Sequence, residues 1–244
     1  MRHYESINME PIKGDYGICY FGDCLQILPT LEDTEMIITD FPYNIDAKHA
    51  KGMHYAKTRS NDQPYNDLMP EDQYRQFCTN AYTLFRQKSQ YGVFTCGYIN
   101  LWWWLQQPEA TYMIWIKKNS GNRSFNTFFN CQEPIIQYGT SKRKYTKDIF
   151  EYFCWNGFLN NHTDYIHPHP KPIELWEDLI CQMHPQSVCD PMLGSGTTAE
   201  VCEKWGIPWV GIELESKYAV DIRYRVKKGR EARKNKEVQG LGGY

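Results

Sequence analysis

Apolar positions along the chain fall into two periods, and their alternation predicts the fold. Short apolar runs bounded by turn residues read as buried strands: Ile18-Cys19-Tyr20-Phe21, Met36-Ile37-Ile38-Thr39, Tyr91 to Cys96, Ser187-Val188-Cys189 and Trp209-Val210-Gly211-Ile212. Helical spacing lies between them. Cys24 to Leu31 carries Leu25, Leu28 and Leu31 on one face, and Pro29 limits it to a turn or two. Pro70-Glu71-Asp72 opens a helix to about Arg86, with Tyr74, Phe77, Ala81, Leu84 and Phe85 facing inward. Further helices are predicted over Ile99 to Gln106, where Trp102, Trp103 and Trp104 are expected to pack in the core, then Ile173 to about Met183, Thr198 to Trp205, and onward from near Ser216. Thr111 to Lys117 and Gln132 to Tyr138 alternate as strands and are expected to pair as an antiparallel ribbon at the sheet edge. Strands alternating with helices predict an α/β domain with a mostly parallel central sheet.

Three segments break this rhythm. Residues 44 to 70 are polar, basic and turn-rich, and a loop of that length inside a compact domain is usually functional. Residues 139 to 166 combine Lys142-Arg143-Lys144 with Tyr145, Phe150, Tyr152, Phe153, Trp155 and Phe158, and read as a small inserted lobe. Residues 227 to 244 read as a basic, disordered tail.

Composition narrows the class. A formal charge of -2 over 244 residues excludes a simple polycation and leaves room for local basic patches. The nine cysteines include no C-x-x-C pair, so neither a disulfide framework nor a four-cysteine zinc site is expected; they read as small buried residues of a reducing cytoplasm. Cys154, His162, His167 and His169 are too irregularly spaced for a metal site, and none is expected. The N-terminus lacks the apolar segment of a secretory signal, and no window has the apolar length of a membrane span.

Candidate chemistry sits at two strand ends. Asp190-Pro191-Met192-Leu193-Gly194-Ser195-Gly196-Thr197-Thr198 passes from a strand through a Gly-x-Gly turn into a helix. Such glycines let the backbone approach a ligand, and the helix start offers free N–H groups. No Lys follows the second Gly, and the third Gly of the dinucleotide fingerprint is absent, so nucleotide hydrolysis and NAD binding lose ground. Glu213, at the next strand end, is placed to accept ribose hydroxyls. A ribose acid without a diphosphate signature suggests a nucleoside-like ligand such as S-adenosyl-L-methionine. The second site is Asp40-Phe41-Pro42-Tyr43: an acid, a stiff turn and an aromatic face after the Met36 strand, where open α/β sheets bind ligands.

These motifs, in this order, resemble the amino-group DNA methyltransferases, which carry D/N/S-P-P-Y/F/W followed by D-P-F-x-G-x-G-T-T. Catalytic motif before cofactor motif resembles the family's β group. The resemblance spans roughly residues 16 to 226, the expected methyltransferase domain, with 139 to 166 as its target-recognition lobe. It implies a Rossmann-like S-adenosylmethionine-dependent fold and N6 methylation of adenine in double-stranded DNA. Cytosine-N4 methylation and a catalytically decayed DNA-binding protein are the alternatives. Asp40, Phe41, Pro42 and Tyr43 are then catalytic. Asp23, in Gly22-Asp23, is expected near the cofactor's adenine. Lys171, in His167 to Pro172, is expected on the methionine carboxylate, with Asp190, Gly194, Ser195, Gly196, Thr197, Thr198 and Glu213 completing the cofactor site. Glu133-Pro134 matches a structural strand motif of the family.

The chemistry asks for little else. An exocyclic amine has its lone pair delocalised into the ring, so the site must localise that pair and align it with an activated methyl. The Asp40 carboxylate and the Phe41 carbonyl can each accept one amine hydrogen, and Tyr43 can stack on the base. Phe41 departs from the family's proline; it keeps the needed carbonyl, the missing proline ring is expected to loosen the loop, and the phenyl is expected to add a base contact. The base must be flipped from the duplex. Lys48, Lys51, Arg59, Arg123, Lys142, Arg143, Lys144 and Lys147 are the candidate phosphate contacts. A homodimer and a cognate restriction endonuclease are optional further partners.

Overall fold

The structure, a computed structural model, describes residues 9–44, 68–118, 122–123, 129–154, 167 and 170–239, with backbone alone at 122–123 and 129–130. Its elements run β1 (Ile12–Lys13), β2 (Gly17–Phe21), α1 (Cys24–Ile27), β3 (Thr34–Asp40), α2 (Glu71–Lys88), β4 (Ser89–Thr95), α3 (Leu101–Trp104) and β5 (Thr111–Lys117). There follow β6 (Asn122–Arg123), β7 (Phe129–Asn130), β8 (Gln132–Gly139), β9 (Ile149–Tyr152), α4 (Ile173–Cys181), β10 (Val188–Asp190), α5 (Thr197–Trp205), β11 (Trp209–Glu213) and α6 (Ala219–Val238).

Nine strands form one mixed sheet in the order β1-β2-β11-β10-β3-β4-β8-β5-β9, and β6 and β7 pair separately. The strands β2, β11, β10, β3 and β4 are parallel. From β3 the chain winds outward through β4. It then returns to lay β10 on the other side of β3 and continues outward through β11. The boundary between β10 and β3 is therefore the topological switch point, where doubly wound sheets bind ligands.

Residue alternation along the strands divides the core between two faces. Met36, Ile38, Val93, Ile135 and Val188 point to a face covered by α4, α5 and α6 through Trp176, Leu179, Val201, Ile222 and Val226. Ile37, Phe94, Ile136 and Cys189 point to the opposite face, covered by α1, α2 and α3 through Leu28, Tyr74, Phe85 and Trp104. Six cysteines are buried as expected, whereas Cys131 is exposed and Cys154 and Cys181 are half-buried.

Four expectations change. The ribbon of β5 and β8 is not the edge: β9, from the segment read as an inserted lobe, pairs parallel with β5 and takes the edge. Ile149–Tyr152 thus belongs to the main sheet, because Phe150 alternates into its core; residues 155–166 of that segment lie outside the described residues. The basic tail is helical to Val238 rather than disordered from 227. Arg230 and Arg233 pair with Asp15 at 2.8 and 2.6 Å and tie the helix to the start of the chain. The tryptophan run is divided, with Trp104 buried, Trp103 partly buried and Trp102 exposed, since a single helical turn cannot bury three consecutive side chains.

Candidate active site

Four adjacent parallel strands end in the four motifs. β2 leads into Gly22-Asp23, β11 ends at Glu213, β10 at Asp190 and β3 at Asp40. Neighbouring strands are about 4.8 Å apart, so residues distant in the chain line one edge.

At the end of β3, Asp40 is 30% exposed and reachable from outside. Its Oδ1 accepts the Thr95 hydroxyl at 2.5 Å and lies 3.1 Å from the Tyr43 hydroxyl. Its Oδ2 pairs with the Lys171 ammonium at 2.8 Å. Behind it stands Glu133, at the start of β8. It is paired with Lys171 at 3.1 Å and, more closely, with Lys117, and it accepts the Tyr43 hydroxyl. Burial works to raise the Glu133 carboxyl, but the Lys171 and Lys117 ammoniums and the bonds from Lys117 and Tyr43 bring it down to about 2. Burial and the charges of Asp40 and Glu133 push the Tyr43 phenol well above its ordinary value.

The rest of the motif is braced by main-chain contacts. The Phe41 N–H donates to the Thr95 carbonyl at 3.1 Å, and the Pro42 carbonyl accepts the Tyr74 hydroxyl at 2.7 Å. The Tyr43 carbonyl accepts from Asn100 Nδ2 at 2.8 Å. The loss of the proline ring does not leave the loop loose, and the phenyl of Phe41 points into the core rather than outward. It is 1% exposed, with its ring centroid 4.9 Å from that of Trp104 and 5.4 to 6.2 Å from those of Phe77, Phe94 and Phe85. It anchors the loop by burial instead.

At the end of β10 the loop turns through Gly194 at φ 56° and Gly196 at φ 89°, left-handed values that side chains resist. A Cβ on Gly194 would stand 3.1 Å from His167 Nε2, so the glycine leaves room beneath that ring. Glu213 closes the loop from β11. One carboxylate oxygen accepts the Gly194 N–H at 2.7 Å and the other the Glu215 N–H at 2.7 Å. Burial raises this carboxyl to about 8, against the two N–H bonds that lower it.

Not every expected cofactor residue faces this cradle. Asp190 turns inward. It accepts Thr39 Oγ1 at 2.7 Å, Thr198 Oγ1 at 2.5 Å and the Met192 N–H at 3.1 Å, and burial raises it to about 6. Thr198 is also held by the Trp176 indole at 2.9 Å, and Ser195 and Thr197 are buried 3.4 Å apart. These hydroxyls brace the loop, which presents backbone. Asp23 accepts the Leu25 N–H at 2.9 Å as the N-cap of α1. Lys171 touches the loop only through its carbonyl, 3.4 Å from Thr197 Oγ1, while its ammonium belongs to the Asp40 cluster.

The basic residues separate as well. β8 runs antiparallel to β4, so Gly139 lies opposite Tyr91, at the amino end of the parallel strands. Lys142 and Arg143 continue from there and line a cleft of about 720 Å³ with Thr34, Ser89 and Ser187. β9 starts level with Ile114 and Pro134, near the carboxyl end of the parallel strands, and Lys147 just before it pairs with Asp178. Lys142 and Arg143 therefore lie at the far end of the sheet from Asp40, about 20 Å along a seven-residue strand, whereas Lys147 does not. Arg123, between β5 and β8, stays at the Asp40 end. Lys48, Lys51 and Arg59 lie outside the described residues. Thr95, Glu133, Lys117 and Asn100 join the site only in the structure; for Glu133 the signals in the sequence are an acid beside the apolar Ile135-Ile136 and the match of Glu133-Pro134 to a strand motif.

Comparison with known proteins agrees with this geometry. Residues 106–223 match a family model described as DNA methylase. The chain is 25% identical over 241 residues to the type II methyltransferase M.HinfI of Haemophilus influenzae, covering 82% of this chain and 65% of that protein. It is 27% identical over 122 residues to M2.LlaDCHI of Lactococcus lactis subsp. cremoris, covering 48% and 42%. The chain thus matches less than two thirds of the length of either relative. Among solved structures, PvuII DNA methyltransferase (cytosine-N4-specific) aligns with TM-score 0.66 at 14% identity, over 93% of this chain and 94% of that one. The M1.HpyAVI–SAM complex aligns with TM-score 0.55 at 19% identity, over 85% and 98%. The family model over residues 106–223 and both relatives support the amino-group (N6-adenine/N4-cytosine) DNA methyltransferase family for this chain, and the solved structures share its fold.

Proposed function

We propose that this chain transfers a methyl group from S-adenosylmethionine to the N6 amino group of adenine in double-stranded DNA. One observation carries the reading: a reachable carboxylate, Asp40, stands at the switch point beside a left-handed glycine cradle closed by a buried acid, Glu213. The cradle suits a nucleoside-like ligand, since backbone rather than side chains lines it and each Glu213 oxygen keeps an acceptor position beyond its one N–H bond. The bound cofactor supplies a sulfonium-activated methyl. Gly194 to Gly196 and Glu213 hold it. Asp40 and the Phe41 carbonyl accept the two amine hydrogens and turn the nitrogen lone pair toward the methyl. The nitrogen–carbon bond forms as the sulfur–carbon bond breaks, and the nitrogen then releases a proton to water. Tyr43 borders the base. The target base reaches Asp40 only when turned out of the duplex, since its amino group is otherwise held in the stack. Lys48, Lys51, Arg59 and Arg123 are the remaining phosphate contacts.

Cytosine N4 is the second reading, favoured by the likeness to a cytosine-N4-specific enzyme. Asp at position 40 speaks for adenine, as the resemblance of the motif implies. Incubation with radiolabelled cofactor and mixed-sequence duplex, then digestion to nucleosides, tests both. Labelled N6-methyladenine is expected; labelled N4-methylcytosine would transfer the reading to the second base, and no label in DNA would overturn it.

A further inference from the structure

Hydrogen-bond accounting around Asp40 leaves one place for the target. A carboxylate offers about four acceptor positions, two on each oxygen. Oδ1 takes the Thr95 hydroxyl at 2.5 Å and is flanked by the Tyr43 oxygen at 3.1 Å. Oδ2 takes one N–H of Lys171 at 2.8 Å. An ammonium has three N–H groups. Those of Lys171 meet three acceptors: Asp40 Oδ2, Glu133 Oε1 at 3.1 Å and the Tyr43 oxygen at 3.0 Å. With its own proton on Glu133, the Tyr43 hydroxyl accepts from Lys171. Glu133 is completed by Lys117 on its other oxygen. Among the described residues no second donor meets Oδ2, and the Asp40 side chain is 30% exposed.

We infer that Glu133 and Lys171 are positioning residues for this site: Glu133 and Tyr43 hold the Lys171 ammonium on a tripod, and Lys171 turns Asp40 so that Oδ2 receives the target amine. The inference rests on the methyl-transfer reading and goes beyond it, because Glu133 is buried behind Asp40 with Lys117, Lys171 and Tyr43 as its partners. Charge balance gives it a second consequence. Asp40 and Glu133 offset Lys171 and Lys117, so the cluster is neutral before the substrate arrives. Positive charge passes from sulfur to the amine nitrogen as the new bond forms. An unbalanced ammonium beside that nitrogen opposes the step, and a displaced Asp40 misaligns it.

Three variants of the whole chain test this: Glu133→Gln, Lys117→Met and the double Glu133→Gln/Lys117→Met. The single Glu133→Gln is expected to lower kcat about 10²-fold at saturating DNA and cofactor, as a misplacement of roughly 1 Å does, while the Kd for S-adenosylhomocysteine is unchanged. The double variant restores the balance of charge, and is expected to regain at least about tenfold in kcat over the single one. A purely structural role would lower cofactor affinity and melting temperature along with kcat. If Glu133→Gln does not fold, the double variant carries the test through a kcat within about tenfold of wild type. Wild-type kcat in Glu133→Gln would overturn the inference. So would a folded, cofactor-binding double variant more than about 10²-fold below wild type. An inactive wild-type chain would overturn the methyltransferase reading itself, and this inference with it.

Discussion

At the start of β8 the Glu133 carboxylate is buried between two ammonium groups; four strands away, at the end of β11, the Glu213 carboxylate is buried against backbone N–H groups. Both are about 95% hidden from solvent. The first is drawn down to about 2 and the second raised to about 8. Desolvation penalises the charge in both places, and only the counter-ions of the first reverse the result. The two corners are therefore suited to different work. The Asp40 corner keeps fixed charges that orient an amine and meet the positive charge it acquires. The Glu213 corner keeps a carboxyl able to donate as well as accept near neutral pH, which suits the hydroxyls of a ribose.

The comparison can be broken at several points. The largest expected effect is on stability. Phe41→Ala removes a phenyl buried among four aromatic rings and should cost about 3–5 kcal/mol in urea unfolding; loss of turnover at full stability would mean that the ring faces the base after all. Asp40→Ala should lower turnover by at least roughly 10²–10³-fold, about 2.7–4 kcal/mol, while S-adenosylhomocysteine still binds. Weaker cofactor binding in that variant would show that the two corners are not separate. Glu213→Ala should weaken cofactor binding by roughly 1.5–3 kcal/mol in calorimetry and leave the Asp40 cluster intact. An unchanged Kd would remove Glu213 from the cofactor site.

The pH dependence of stability is the sharpest test of the contrast. The folded state raises Glu213 to about 8 from an ordinary value near ~4.3, so it holds a proton that the unfolded chain releases in between. Stability should fall as pH rises through that window, by up to about 1.4 kcal/mol per unit. Glu133 acts with the opposite sign: its contribution is present above about 4.3 and is lost as pH falls toward about 2. Glu213→Gln should flatten the alkaline side of a urea-derived stability profile, and Glu133→Gln the acid side. Identical profiles for the two variants would refute the opposite shifts.

Much of the site was legible because its parts are local. Strand-turn-helix spacing and left-handed glycines locate the cradle, and Asp40 announces itself as an acid at the end of an apolar strand. What escaped depends on strand order. The resemblance places Lys171 with the cofactor; the structure also brings its ammonium to Asp40, because β10 and its preceding segment are laid beside β3. Thr95 and Glu133 approach Asp40 from β4 and β8, strands whose partners no local pattern names. Lys142, Arg143, Lys144 and Lys147 group with the DNA contacts by charge alone; the antiparallel direction of β8 carries Lys142 and Arg143 to the far end.

Residue type and local period sufficed to determine the α/β class, the glycine turn, the order of the motifs and the acid that ends β3. These depend on interactions within a few residues: backbone freedom at glycine, the φ of proline, and apolar positions repeating every two or about four residues. Tertiary structure alone decided the charge states, the partners of Lys171, the burial of Phe41 and the end of the sheet on which each cation lies. Those properties follow from Coulombic and packing contacts between strands far apart in the chain. Register and strand direction determine such contacts, and a one-dimensional pattern does not specify either.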